Sequence, residues 1–170
     1  MVFVDAECRI KHFRHLVLCP YETEPESEKH LEMKKYLFNQ YKNEGAVLEH
    51  RIGEKIADVF IPNLNGGTVF ECQCSSITIE EMDERKENAE RNGAKLIWIW
   101  GEGPELHNDE WYVPKYKLTQ AMQNSLDEPF ERGQLYYYDE ERESGFFLRY
   151  FTKHKYRQTI FWGRKEKKVF

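Results

Sequence analysis

The stretch Ile56–Ser76, IADVFIPNLNGGTVFECQCSS, sets two strands and two acids against each other, and the rest of the chain must fold around that arrangement. Val, Ile and Phe alternate over Ile56–Pro62 and again over Thr68–Cys74, which reads as two strands. Between them, Asn65-Gly66-Gly67 supplies residues that accept a positive φ, as a tight hairpin requires. Side chains alternate along a strand, so Val69, Glu71, Gln73 and Ser75 share one face while Phe70, Cys72 and Cys74 share the other. A carboxylate within an apolar strand is costly unless it is paired or bound to a metal. Asp58 interrupts the first run and Glu71 the second, so the hairpin can bring two carboxylates together. With the amide of Gln73 two residues on, they form a hard oxygen site suited to Mg2+ or Mn2+.

The flanking sequence supplies helices and further strands. After the acidic, turn-rich YETEPESEKH, either Thr23 or Ser27 can cap a helix that runs to about Asn43, with Gly45 past its end. Leu31, Phe38 and Tyr41, flanked by Met33 and Leu37, make its apolar stripe. Ala46–Arg51 reads as the first strand of the sheet; Glu49 on it either joins the acid pair or faces solvent. Thr78-x-x-Glu81 is a capping box that starts a second, largely exposed helix ending near Asn92. Lys95–Trp100, KLIWIW, is a continuous apolar run consistent with a strand buried on both faces. A helix between two strands implies a right-handed crossover, which makes the Glu71 and Leu96 strands parallel neighbours. Farther on, Tyr116–Leu126 reads as a short helix, and Gln134–Tyr138 with Phe146–Phe151 as a second hairpin. Its aromatic residues complete a core, although Tyr136, Tyr137 and Tyr138 are not expected all to be buried.

These residues carry a resemblance. Asp58 followed by Glu71-x-Gln73 on the next strand looks like the core of the PD-(D/E)XK nuclease superfamily. ADV, then ECQCS, then a helix carrying Arg85, then LIWIW is similar to the nuclease-like domain of the competence protein CoiA family. HFRH at His12–His15 and SEKHLEMK at Ser27–Lys34 fit the same pattern, so the resemblance spans roughly Lys11 to Trp100. It implies an α/β (α+β) fold with a restriction-endonuclease-like core, a mixed β-sheet flanked by helices, extended by the C-terminal β-hairpin. The expected organisation is one domain over 1–170: a Cys/His segment at 1–21, the core at about 22–101, and a helix, hairpin and basic tail at 102–170.

The resemblance also implies roles. Asp58 and Glu71 would hold Mg2+ or Mn2+, with the backbone carbonyl of Cys72 as a third ligand. Gln73 stands where the superfamily usually has lysine, and an amide cannot accept a proton from water near neutral pH. Lys34 is the expected replacement cation, ahead of Lys55. Glu28 matches the acid that often assists from the first helix, and Arg85 is placed to reach the site or the scissile phosphate. The implied activity is a divalent-metal-dependent deoxyribonuclease in DNA processing, recombination, repair or defence. A catalytically inactive DNA-binding or scaffold protein on the same fold is the alternative, and superfamily members often work as homodimers.

Composition bounds these readings. With 40% hydrophobic and 32% charged residues, the chain is expected to be a folded globular protein and not a disordered one. The start MVFVDAECRIKH lacks a signal-peptide layout and no apolar run spans a bilayer, so a cytoplasmic, non-membrane protein is expected. The net charge is −5, yet Leu148–Phe170 carries eight basic residues against the single acid Glu166, which is +7 there and −12 elsewhere. Lys153, Lys155 and Arg157 in that basic, aromatic-interleaved tail suit contact with a DNA backbone. Cys72 and Cys74 read as core. Cys8, His12, His15 and Cys19, spaced Cys-x3-His-x2-His-x3-Cys, can converge on a structural Zn2+, or the two histidines can be polar loop partners as in the family's HFRH element. A zinc-stabilised interaction module is the third reading.

Overall fold

The computed structural model describes residues 2–4, 12–14, 26–107, 115–126, 134–139, 142, 144–153 and 160–167. A short ribbon precedes the main body, with β1 (Val2–Val4) antiparallel to β2 (His12–Arg14). Helix α1 (Glu28–Tyr41) follows, then a single 3-10 turn (Lys42–Glu44) and strands β3 (Val47–Ile52), β4 (Lys55–Ile61) and β5 (Thr68–Gln73). Helix α2 (Ile79–Arg91) leads to β6 (Lys95–Trp100), and the remaining elements are β7 (Glu105–His107), β8 (Lys115–Lys117), α3 (Gln120–Asn124), β9 (Leu135–Asp139), β10 (Ser144–Lys153) and β11 (Ile160–Lys167).

Nine of these strands form one mixed sheet in the order β3-β4-β5-β6-β9-β10-β11-β8-β7. β3, β4 and β5 are an antiparallel meander, whereas β5–β6 and β6–β9 are parallel. The α2 crossover therefore joins parallel neighbours, as expected, and the mixed sheet with flanking helices is consistent with a restriction-endonuclease-like core. The hairpin turn has positive φ at Asn65, Gly66 and Gly67. Among the described residues, no helix is long and apolar enough to cross a membrane.

Local chemistry explains the helix boundaries. Ser27 accepts from the His30 amide at 3.2 Å and starts α1; Thr78 accepts from the Glu81 amide at 3.2 Å and starts α2. Gly45, at φ +82°, closes the turn after α1. On one face of the sheet, α1 covers a core of Met33, Leu37, Val59, Ile61, Phe70, Cys72, Ile99, Tyr136 and Tyr138. The opposite face holds one cluster built on Met82, Trp98, Leu118 and Leu135 and another on Ala57, Val69, Ala89 and Ala94.

Several expectations are corrected. The centre of the α1 stripe is Met33 and Leu37, with Phe38 and Tyr41 at its margin. Tyr136, Tyr137 and Tyr138 are all buried, because β9 is an interior strand with apolar layers on both faces. Tyr116 lies in β8, not in a helix, since Thr119 caps α3 and fixes its start at Gln120. Cys74 is exposed: β5 ends at Gln73, so the strand alternation that would have buried it has already stopped.

Candidate functional site

Asp58 sits where the sheet ladder is interrupted. β4 pairs with β5 at Val59↔Phe70, Phe60↔Val69 and Ile61↔Thr68, and the pairing stops short of Asp58. On the other flank, β3 pairs with β4 at Leu48↔Val59 and His50↔Ala57, skipping Glu49 and Asp58. Ala57 and Val59 would share a face in a regular strand, yet they pack into clusters on opposite faces. That departure turns Asp58 toward the N-terminal end of α1. In place of a ladder bond, Asp58 Oδ2 accepts the Cys72 amide at 2.7 Å and lies 3.1 Å from His30 Nε2.

Lys34 completes this side of the site. Its side chain is only 5% exposed, and its ammonium donates to Glu26 at 2.6 Å and Glu49 at 2.7 Å, with Asp58 Oδ1 at 4.0 Å. Burial alone would lower the lysine pKa. The hydrogen bonds it donates to Glu26 and Glu49, with the charges of Glu26 and Asp58, outweigh it and hold the ammonium above its ordinary value. Glu49 reaches Lys34 from a left-handed backbone conformation, φ +50°, which is unfavourable for a residue with a side chain. Glu26 also lies 3.3 Å from His30 Nδ1, so His30 is bracketed by two carboxylates.

Glu71 belongs to the other face of β5. Its side chain is 7% exposed, and Oε2 accepts from Arg85 at 2.9 Å, while Arg85 Nε also lies 3.7 Å from Glu81. Burial pushes the Glu71 carboxyl up to about 8; Arg85 pulls against that, and the Asp58 charge adds to it. The Asp58 charge therefore reaches Glu71 even though their direct partners differ. Gln73 follows on the same strand with its amide nitrogen turned to Ser75, 3.0 Å from the carbonyl oxygen and 3.3 Å from the hydroxyl.

Cys72 lies behind Asp58 in the α1-side core. Its thiol, an Asp58 carboxylate oxygen and a His30 ring nitrogen all lie within 4.8 Å of one another. Burial, with the charges of Asp58 and Glu71, pushes the Cys72 thiol well above the usual thiol range.

The expected residues thus divide. Asp58, Lys34 and the Cys72 backbone form one contiguous group, and Glu71 with Arg85 abuts it. Glu28 is exposed at the start of α1, and the acid that engages the site from this end is Glu26, one residue before the cap. The missed signal was spacing: Glu26 precedes His30 by one helical turn. Lys55 pairs at 3.1 Å with Glu84, which leaves Lys34 as the cation beside Asp58. His12 begins β2 opposite Val4 and Lys153 ends β10 opposite Phe161. Cys8, His15, Cys19, Lys155 and Arg157 lie outside the described residues.

No curated protein and no solved structure matches the chain. A family model described as "Competence protein CoiA, nuclease-like domain" matches residues 26–167. The match runs through β9, β10 and β11, beyond the point at Gly101 where the residue-level resemblance ended.

Proposed function

The chain belongs to the family of the competence protein CoiA nuclease-like domain, and from that premise we propose that it is a divalent-metal-dependent deoxyribonuclease acting through Asp58 and Glu71. The carrying observation is an acid pair on adjacent strands, Asp58 partly open and Glu71 buried, in which the Asp58 charge adds to the burial that raises the Glu71 carboxyl. Carboxylates close enough to repel are an arrangement a divalent cation relieves.

The donors fit a hard ion: Asp58 and Glu71 offer carboxylate oxygens, and the Cys72 carbonyl adds a third oxygen ligand. When bound, Mg2+ or Mn2+ neutralises charge on the scissile phosphate and lowers the pKa of an attacking water. The chain's own groups do the rest. Lys34, kept protonated by its carboxylate partners, is a fixed cation beside Asp58 that stabilises developing negative charge and does not take a proton. Gln73 orients water without acting as a base. Arg85 holds the Glu71 carboxyl in place. Glu26 and Glu49 anchor Lys34, and Glu28 has no part. DNA is the substrate, in processing, recombination, repair or defence, with the basic C-terminal strands contacting its backbone.

One observation favours an inactive DNA-binding or scaffold protein instead. Arg85 already satisfies Glu71 at 2.9 Å, so that acid has a structural reason to exist without a metal. Incubating the protein with single-stranded, linear duplex and supercoiled circular DNA in Mn2+ or Mg2+ separates the two. Metal-dependent cutting that Asp58→Ala and Glu71→Ala both abolish is the expected result. Folded protein that binds DNA but never cuts it would select the scaffold.

A further inference from the structure

On the α1 side of the site, three side chains of unlike chemistry converge: an imidazole nitrogen of His30, a carboxylate oxygen of Asp58 and the Cys72 thiol, all within 4.8 Å of one another. Mg2+ and Mn2+ favour oxygen donors, whereas a nitrogen, sulfur and oxygen set suits Zn2+. His30 and Asp58 are partly open, at 19% and 17% side-chain exposure, while Cys72 lies behind them. An ion arriving past the start of α1 meets the histidine and the carboxylate before the thiol.

The surroundings of His30 supply an independent argument. Its Nδ1 lies 3.3 Å from Glu26 Oε1, while Nε2 points at Asp58. A carboxylate on one ring nitrogen with the other aimed at the ligand cluster is the outer arrangement typical of zinc-binding histidines, because it fixes both tautomer and ring direction. The Asp58 carboxylate is oriented in turn by the Cys72 amide at 2.7 Å. Lys34, 4.0 Å from Asp58, is a cation that opposes binding, but Glu26 and Glu49 both hydrogen-bond it and offset its charge.

We propose that His30, Asp58 and Cys72 form a second, softer metal site that takes Zn2+ or a chemically similar ion, and that this ion competes with the hydrolytic one for Asp58. The competition rests on the nuclease reading, whereas the soft site stands without it. On binding, the Cys72 S–H bond breaks, its proton passes to solvent and the sulfur's electron pair forms the metal bond. His30 keeps a proton on Nδ1 toward Glu26 and gives the Nε2 lone pair. Water fills the fourth position, and nothing is oxidised or reduced.

Cobalt titration of the full chain tests the site without any activity assay. The expected result is a sulfur-to-cobalt charge-transfer band that Zn2+ abolishes by displacement. Cys72→Ser should remove the band, and His30→Gln, on a half-buried helix start, should weaken binding while the circular dichroism of the fold persists. Glu26→Gln should keep the band but weaken Zn2+ binding about 10–100-fold, as loss of an outer carboxylate does. No band in folded native protein would overturn the soft site, and so would a band that survives Cys72→Ser, which would place the metal on other thiols. Zn2+ that fails to reduce Mn2+ binding would overturn the competition. A cobalt band from a protein that never cuts DNA would sink the nuclease reading alone; Mn2+-dependent cutting with no band would sink the soft site alone.

Discussion

At the scale of single residues, Lys34 shows how the site tolerates a buried cation. One ammonium faces Glu26, Glu49 and Asp58, so Lys34→Met leaves three carboxylates without it. Glu49 is 62% exposed and partly solvated, so the expected loss is about 2 kcal/mol, measured by urea unfolding, and smaller than for a fully buried pair. Glu71 has the opposite problem, a carboxyl whose burial raises it from 4.5 to about 8. A raised carboxyl pKa means that the folded state binds the proton more tightly than the unfolded one. Its contribution is therefore fully present below about pH 4.5 and is lost as pH rises through about 8. Metal-free protein should lose stability across that window, and Glu71→Gln should flatten the slope in pH-dependent denaturation. A slope unchanged by the substitution would show that Glu71 is not its source.

Among elements, the β3–β4 turn and α2 are clamped by one side chain. Asn88, buried on α2, accepts the Glu54 amide at 3.1 Å and donates to the Ile52 carbonyl at 2.7 Å. Gly53 lies between those contacts at φ +55°, where an added Cβ would come 2.5 Å from Asn92 and 2.7 Å from Asn88. Asn88→Ala should cost about 1–3 kcal/mol through two unsatisfied backbone groups, readable as a lower urea midpoint. The outline of these elements was legible beforehand because capping boxes, positive-φ turn residues and apolar runs are local signals. Ser27, Thr78, Asn65-Gly66-Gly67 and KLIWIW each act within a few residues of themselves. The errors fell where distant partners decide. Three successive tyrosines can all be buried only if the strand is interior, and that depends on α1, α3 and β8.

For the molecule as a whole, the nine-stranded sheet carries the acid-bearing hairpin at one end and the basic C-terminal strands β10 and β11 beyond β9. The family match covers both, residues 26–167. Asp58 and Glu71 were legible as candidates because they interrupt apolar strands, and Lys34 because the family resemblance includes it. The choice of Glu26 over Glu28 was not, since both flank Ser27 and only the contacts of Glu26 with Lys34 and His30 separate them. Nor was the positive φ of Glu49, which falls where the β3–β4 pairing skips Glu49 and Asp58. On the proposed reading Asp58 and Glu71 serve one metal ion, although Asp58 contacts α1 residues and Glu71 contacts α2. Mn2+ binding followed by electron paramagnetic resonance, in the native chain and in Asp58→Asn and Glu71→Gln, tests this shared site. A shared site gives a protein-bound Mn2+ signal that either substitution removes while the fold is kept. Mn2+ binding that persists unchanged in both variants would contradict it and leave the two acids as separate structural ion pairs.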